Sequence, residues 1–155
     1  MRRRTLQAAA VLFFLAIGLW AADDPIVGTW KLNLAKSNVQ AAATFNSGLA
    51  KIEPTQGGIK TTADLVSPDG MRIHTEFTAK YDGIDYPITG DPYSDTISIR
   101  RIDPNHVDTF WKKGGNVVAT ARNVISPDGR TWTETIATRD AQGRPVTIVA
   151  VYDKQ

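Results

Sequence analysis

Few residues of this chain are of the types that perform catalysis or bind metals. His74 and His106 are its two histidines, and it has no cysteine, so a histidine–cysteine zinc set cannot be assembled. Its glutamates are Glu53, Glu76 and Glu134, and their spacing gives no pair of carboxylates of the kind that glycoside hydrolysis requires. We therefore expect these histidines and glutamates to lie on solvated faces, and we predict no catalytic residue, no metal site and no cofactor.

Arg101 is the charged residue with the clearest route to the inside of the fold. It shares one face of a predicted strand with Ile97 and Ile99. If that face is interior, the guanidinium needs a carboxylate or an anionic ligand group to offset the cost of its burial. The alternative is an arginine at a strand end whose head group reaches water. If the faces are reversed, Arg100 or Arg122 is the inward arginine instead.

Aromatic side chains are the other candidates for ligand contact, because each buries a large apolar area. The tryptophans that follow the N-terminal apolar segment are Trp30, Trp111 and Trp132, and we expect them either in a solid core or around a cavity. Phe77 and Tyr81 share a strand face with small residues. The candidate ligand-binding residues are Trp30, Phe77, Tyr81, Arg101, Trp111 and Tyr152.

The elements that position these residues are predicted to be β-strands. Apolar and polar residues alternate along most of the chain from Lys51 onward, and alternation with period two is typical of a half-buried antiparallel strand. Ser67–Gly70 and Ser126–Gly129 both read Ser-Pro-Asp-Gly, a turn in which proline presets φ and glycine accepts a left-handed conformation. Strands are predicted on both sides of the first turn, near Ile52, and at Ile26–Leu34, Ile84–Ile88, Thr96–Ile102, His106–Lys112, Asn116–Ile125, Arg130–Arg139 and Pro145–Tyr152.

Short turns between about ten strands predict antiparallel neighbours that follow one another in sequence. We predict an all-β fold, a single up-and-down antiparallel β-barrel of about 8–10 strands with one short helix or lid after the first strand, within Ala35–Leu49. Closure removes the exposed strand edges, and a two-sheet sandwich is the alternative. Small residues on the faces expected to point inward predict a cavity. The alternatives are that the faces are reversed, or that large side chains opposite fill the gaps. These small residues are Thr61, Ala63, Thr75, Ala79, Ala119 and Ala121.

The N-terminus has the pattern of an export signal. Three arginines are followed by an apolar run from Ala8 to Trp20 and by two small residues, as in secretory signals. The run is shorter than the ~20 residues of a membrane-spanning helix. We expect a cleaved signal peptide at 1–22 and one domain at 23–155, exported to the periplasm or to the outside of the cell, with an uncleaved anchor as the alternative.

Removal of that signal changes the charge of the chain. The full sequence has 18 basic and 16 acidic residues, and three of the basic ones are the arginines of the signal. The remaining domain is close to neutral, so its charge does not favour nucleic acid or an anionic membrane as a partner. We expect a monomer that binds no nucleic acid and has no membrane span.

The two ends of the domain resemble a known superfamily. Gly28–Leu32, which reads Gly-Thr-Trp-Lys-Leu, resembles the Gly-x-Trp opening of the calycins, which include the lipocalins and the fatty-acid-binding proteins, and Val151–Lys154 is similar to the final strand of the latter. Gly28–Ser37 also resembles the opening of small exported bacterial proteins described as lipocalin-like. The resemblance implies a barrel that holds a small apolar ligand, with Trp30 closing one end.

One departure from the fatty-acid-binding pattern concerns the ligand. Those proteins usually present Arg-x-Tyr in the last strand to grip a carboxylate, and here Ala150 stands at the arginine position while Tyr152 remains. We therefore do not expect a carboxylate clamp of that type.

These observations lead to one functional prediction and two alternatives. We expect an exported, non-catalytic binding protein for a small apolar or amphipathic ligand, in which Tyr152 and Arg101 orient a polar end. A ligand-free structural or interaction module of the cell envelope would instead have a filled barrel and an exposed apolar patch. The third possibility is an enzyme that uses the cavity, which a cluster of His74, His106 and Glu134 inside the barrel would favour.

Overall fold

The computed structural model describes residues 24–155. The predicted signal peptide at 1–22 lies outside the described residues, as does residue 23. Residues 24–155 form ten strands and one short helix. In chain order these are β1 (Gly28–Leu32), α1 (Val39–Thr44), β2 (Ser47–Thr55), β3 (Gly58–Val66), β4 (Arg72–Lys80), β5 (Tyr86–Thr89), β6 (Thr96–Asp103), β7 (His106–Lys113), β8 (Asn116–Ile125), β9 (Thr131–Arg139) and β10 (Pro145–Lys154).

The strands form one closed antiparallel barrel in which each strand pairs with its neighbours in sequence. The last strand returns to the first, since β10 pairs with β1 through Trp30 opposite Lys154 and Leu32 opposite Tyr152. Closure leaves no unpaired edge strand within the described residues. The predicted all-β up-and-down barrel is confirmed, the sandwich is wrong, and the architecture is consistent with a calycin-like fold.

The short helix predicted after the first strand is α1. Asn38 caps it, because its Oδ1 accepts a hydrogen bond from the Ala41 backbone N–H at 3.0 Å. The same side chain fixes α1 to β10. Its Oδ1 also accepts from the Val149 N–H at 3.1 Å, and its Nδ2 donates to the Thr147 carbonyl at 3.1 Å. Ala41 is fully buried, so α1 is held firmly against the barrel wall.

Three strands differ clearly from the sequence prediction. β5 begins at Tyr86 rather than at Ile84. β1 begins at Gly28 rather than at Ile26, because the Val27 N–H donates to the Asp24 carbonyl at 2.9 Å and closes a turn. β2, predicted as a short strand near Ile52, extends over nine residues. Its inner face includes Gly48 and Ala50, which are small. The alternation between apolar and polar residues is therefore weak along this strand.

The two Ser-Pro-Asp-Gly turns have the same internal structure. In each, the glycine N–H donates to the serine carbonyl, at 2.9 Å in the first turn and 2.8 Å in the second. The glycine φ values are 87° and 70°, in the left-handed region that favours glycine. Each serine hydroxyl donates to the aspartate carboxylate and holds the pKa of that carboxyl below its usual value. The predicted left-handed conformation of the turn glycines is therefore confirmed.

One end of the barrel is closed by three aromatic side chains. Trp30 is fully buried, and its Nε1 donates to the Ile26 carbonyl at 2.7 Å. The Trp30 and Trp132 rings meet edge to face with centroids 6.0 Å apart, and Trp132 stacks on Tyr152 at 4.4 Å. We call Trp30, Trp132 and Tyr152 the floor. It places Trp30 at the closed end, as the resemblance implied.

Candidate functional site

The inside of the barrel is a cavity of about 1220 Å³. Inward-facing side chains from β2 to β10 form its wall, and most of them are apolar. Thr61, Ala63, Thr75 and Ala119 line the cavity, and the other two small residues predicted to point inward are buried. The predicted inward faces of β3, β4 and β8 are therefore correct. The volume exceeds the roughly 300–1,000 Å³ that is usual for small-molecule sites.

The cavity reaches solvent at the end opposite the floor. There α1 contributes Gln40 and Ala43, the β5–β6 turn contributes Tyr93, and the β9–β10 turn contributes Asp140 and Arg144. Tyr93 is 67 % exposed, and Gln40 and Arg144 are also exposed. We call these five residues the mouth. The predicted helix or lid thus forms one side of the mouth.

A buried polar network lies just above the floor. The Asn123 Nδ2 donates to the Val107 carbonyl at 3.0 Å and to Thr109 Oγ1 at 2.9 Å. The Asn123 Oδ1 accepts from Trp132 Nε1 at 2.9 Å. The amide of Asn123 therefore uses both its donor and its acceptor groups within the protein, and it fixes the orientation of the Trp132 ring.

Glu134 reaches the cavity from the middle of β9. It lies opposite Asn123 on β8 and Ala150 on β10, and only 8 % of the residue is exposed. Burial raises the pKa of its carboxyl to about 7. Among the described residues no hydrogen bond or neighbouring cation contributes to lowering that pKa. The site therefore contains a carboxyl group that is close to half ionised at neutral pH.

Two of the hydroxyl groups in the cavity wall are those of Thr61 and Tyr152. Thr61 Oγ1, on β3, is buried and has no hydrogen-bond partner among the described residues. Tyr152, on β10, has the pKa of its hydroxyl raised by burial and, to a smaller extent, by the charge of Glu134. A buried hydroxyl without a partner costs free energy, so a ligand that bonds to Thr61 would recover part of that cost.

Three of the six predicted ligand-binding residues lie in the cavity wall. They are Phe77, Trp111 and Tyr152. Trp30 lies in the floor against Trp132 and is not part of the wall. The other two predicted residues, Tyr81 and Arg101, pack against each other at the closed end of the barrel. Half of the predicted residues therefore line the cavity, and the other half lie at the closed end of the barrel. Contact of any of them with a ligand stays a prediction.

The charge of Arg101 is matched by a side chain of the protein. Its Nη2 donates to Asp24 Oδ2, and the Tyr81 hydroxyl donates to the same oxygen at 2.5 Å. The guanidinium also lies 3.9 Å from the centroid of the Tyr81 ring. Asp24 therefore supplies the carboxylate that was predicted to offset the charge of a partly buried Arg101. The Asp24–Tyr81–Arg101 cluster lies at the same end of the barrel as the floor.

The residues that could support catalysis are not brought together. His74 and His106 each pair with a nearby aspartate outside the cavity, at 2.6 Å in both cases. Glu53 and Glu76 pair with lysines at the surface. The expected solvated positions are correct for these four residues and wrong for Glu134, which is buried.

Glu134 was missed because the two faces of β9 differ little in polarity. Trp132, Glu134 and Ile136 line the cavity, and the threonines between them lie on the other face. Threonine occurs on both faces of strands, so it does not mark the outside. The spacing of the residues was the available signal. Glu134 is two residues from both Trp132 and Ile136, so the three side chains share one face of the strand.

Comparison with known proteins adds no family assignment. No protein-family model matches this chain, and no curated protein matches it. Within residues 24–155, no helix has the length and apolar character needed to cross a membrane, and no three side chains among His, Cys, Asp and Glu are grouped so that they could hold a metal ion. The cavity is therefore the feature from which the function has to be inferred.

Proposed function

We propose that the protein binds a small apolar or amphipathic molecule inside the barrel without converting it chemically. The observation that carries this proposal is the cavity of about 1220 Å³, whose wall is mostly apolar. Removal of apolar ligand surface from water contributes roughly 25 cal/mol per Å². Part of that gain offsets the loss of ligand motion on binding, and a preformed closed sheet keeps the ordering cost of the protein low.

The two alternatives have less support. A ligand-free module of the cell envelope predicts a barrel filled by side chains, whereas small residues such as Thr75 and Ala119 leave this interior open. Catalysis in the cavity would need groups that act together with Glu134, but His74 and His106 lie outside the cavity wall.

Membership of the calycin superfamily and export belong to the same proposal. The Gly-Thr-Trp-Lys-Leu opening, with Trp30 at the closed end, supports a lipocalin-like protein. The pattern of residues 1–22 supports export to the periplasm or the outside of the cell. We propose that the protein acts there as a monomeric carrier.

The proposal is tested by titrating Nile red, a neutral apolar fluorophore, into protein produced from the full-length coding sequence. We expect saturable binding at one molecule per chain, with a Kd in the micromolar range, which corresponds to about −8 kcal/mol. The matched variant fills the cavity through Ala63→Phe combined with Thr75→Phe. These residues are cross-strand partners that both line the cavity, and an aromatic pair is well tolerated at such positions.

The control is Thr78→Phe, at an exposed position on β4. We expect the filled variant to bind Nile red at least tenfold more weakly and the control to bind like the wild type. Binding that is lost equally in both variants, or that is absent from the wild type, would contradict a carrier function.

A further inference from the structure

Glu134 is the feature of the cavity that a purely apolar ligand does not explain. Only 8 % of the residue is exposed. It lies in the cavity wall between Trp132 and Ile136. Its cross-strand neighbours are Asn123 and Ala150. Alanine offers no side-chain donor, and the amide donors of Asn123 are directed to Val107 and Thr109.

No cation of the described residues offsets the charge of this carboxylate. None of the ion pairs formed within residues 24–155 includes Glu134. The arginines of the cavity wall are Arg139 and Arg144, which belong to the end of β9 and the β9–β10 turn at the mouth. Arg144 pairs with Asp140 at 2.7 Å, and Arg139 donates to the Gly143 carbonyl at 2.8 Å.

A carboxylate buried in this way selects among ligand head groups. An anionic head group, such as a fatty-acid carboxylate, would meet a like charge in a medium of low dielectric constant. A cationic head group would instead neutralise Glu134 and supply the hydrogen bond that it lacks. Ala150 beside Glu134 reinforces this selection, because it supplies no positive charge for an acid.

We propose, on the basis of the carrier function proposed above, that the ligand is an amphiphile with a protonated amine on an apolar body, and that the Glu134 carboxylate pairs with the amine. The apolar body lies along the aliphatic and aromatic wall towards the mouth. Thr61, on a separate part of the wall, is available to a second polar group of the ligand.

This pairing makes binding depend on pH. Glu134 titrates near pH 7 in the ligand-free protein, and pairing with an ammonium group keeps it ionised to lower pH. A primary alkylamine stays protonated, as lysine does, to about pH 10. Affinity for the amine is therefore expected to rise between pH 5.5 and pH 8, by up to about 30-fold if the paired carboxylate stays fully ionised at the lower pH.

Few other titratable groups face Glu134 from the elements around it. On β10 the inward group is Tyr152, whose hydroxyl has a raised pKa and stays protonated in this range. On β8 the inward residues near Glu134 are Ala121 and Asn123, which do not titrate. The charged groups of the cavity wall are Asp91, Arg139, Asp140 and Arg144, and all of them belong to the mouth end.

The test is displacement of bound Nile red by three ligands with the same chain, decylamine, 1-decanol and decanoic acid, at about 0.15 M salt to screen surface charge. For the wild type at pH 8 we expect decylamine to bind at least tenfold more tightly than either competitor. In Glu134→Gln this preference for decylamine is expected to disappear. Glu76→Gln, at an exposed position on β4, is the matched control and should keep the preference.

A second measurement does not depend on a variant. The carboxyl carbon of Glu134 is followed by NMR through a pH titration, with and without each ligand. We expect decylamine to lower the observed pKa of Glu134 by more than one unit and 1-decanol to leave it unchanged or raise it.

The outcomes separate the ligand class from the carrier function. Equal affinities for the three ligands, a preference for decanoic acid, or an unshifted Glu134 titration would overturn the amine assignment and leave the carrier function intact. If Nile red shows no saturable binding to the wild type, the carrier function itself is overturned.

Discussion

A carboxyl group buried in an apolar cavity carries a free-energy cost that a surface carboxyl does not. Glu134 shows this cost as a pKa of about 7 against an ordinary value of 4.5, and burial is its sole cause. Arg101 is also partly buried, but its charge is matched by Asp24. The two residues therefore differ, because the charge of Arg101 is paired within residues 24–155 and that of Glu134 is not.

Replacement of Glu134 by glutamine should stabilise the ligand-free protein at high pH. The folded-state pKa is raised, so the folded protein holds a proton that the unfolded chain releases, and wild-type stability falls as the pH rises from about 4.5 to about 7. Glu134→Gln lacks this penalty. We expect it to raise the free energy of unfolding by about 3 kcal/mol at pH 8 and to have little effect at pH 4.5.

Urea unfolding at the two pH values measures this difference. The control is Glu76→Gln, whose pairing with Lys60 at 3.4 Å lies at the surface. It should change the stability by less than about 0.5 kcal/mol at either pH. An effect of Glu134→Gln that is the same at pH 4.5 and pH 8 would show that the buried charge is not the cause.

At the scale of the elements, the weakest part of the barrel is β5. It has four residues, and it pairs with β4 only through Glu76–Thr89 and Phe77–Ile88. The turn that follows it brings the Gly90 Cα against β4, since a Cβ at Gly90 would lie 1.8 Å from the His74 carbonyl oxygen. Glycine at this position therefore allows the β5–β6 turn to close onto the barrel.

Gly90→Ala should destabilise the protein more than Gly70→Ala does. Both glycines have positive φ, 77° and 87°, so both substitutions incur the roughly 1–2 kcal/mol of a left-handed alanine. A Cβ at Gly70 meets nothing within 4 Å. At Gly90 the backbone has to move, which adds roughly 1–3 kcal/mol. Thermal unfolding of both variants measures the difference, and equal losses would show that β5 does not need this close approach.

The strands and turns were predictable from sequence to the extent that their residues differ in polarity. β3, β4, β8 and β10 alternate clearly, and the two Ser-Pro-Asp-Gly turns contain the residues that their backbone conformations require. The length of β2 was underestimated because the small residues on its inner face differ little in hydrophobicity from their polar neighbours. The inward position of Glu134 was missed because threonines occupy the other face of β9. Proximity across the barrel, such as Asp24 to Arg101, is set by closure and not by local pattern.

At the scale of the whole molecule, closure of the sheet into a barrel gives the amphipathic strands a common interior that encloses a cavity. The pairing of β1 with β10 seals the sheet, the floor closes one end, and the residues of the mouth border solvent at the other. Small inward residues then leave about 1220 Å³ that side chains do not fill. The proposed function depends on this one property, that a ligand can enter the cavity and stay in contact with its wall.

The most direct test of that property is methyl NMR of isoleucine-labelled protein during a titration with 1-decanol. Ile52, Ile59, Ile99 and Ile148 line the cavity, whereas Ile84 and Ile102 are 60 % and 53 % exposed. We predict saturable shifts of the cavity methyls, with one ligand bound per chain, and unchanged signals from Ile84 and Ile102. Cavity methyls that do not shift, or shifts confined to the exposed methyls, would contradict the account.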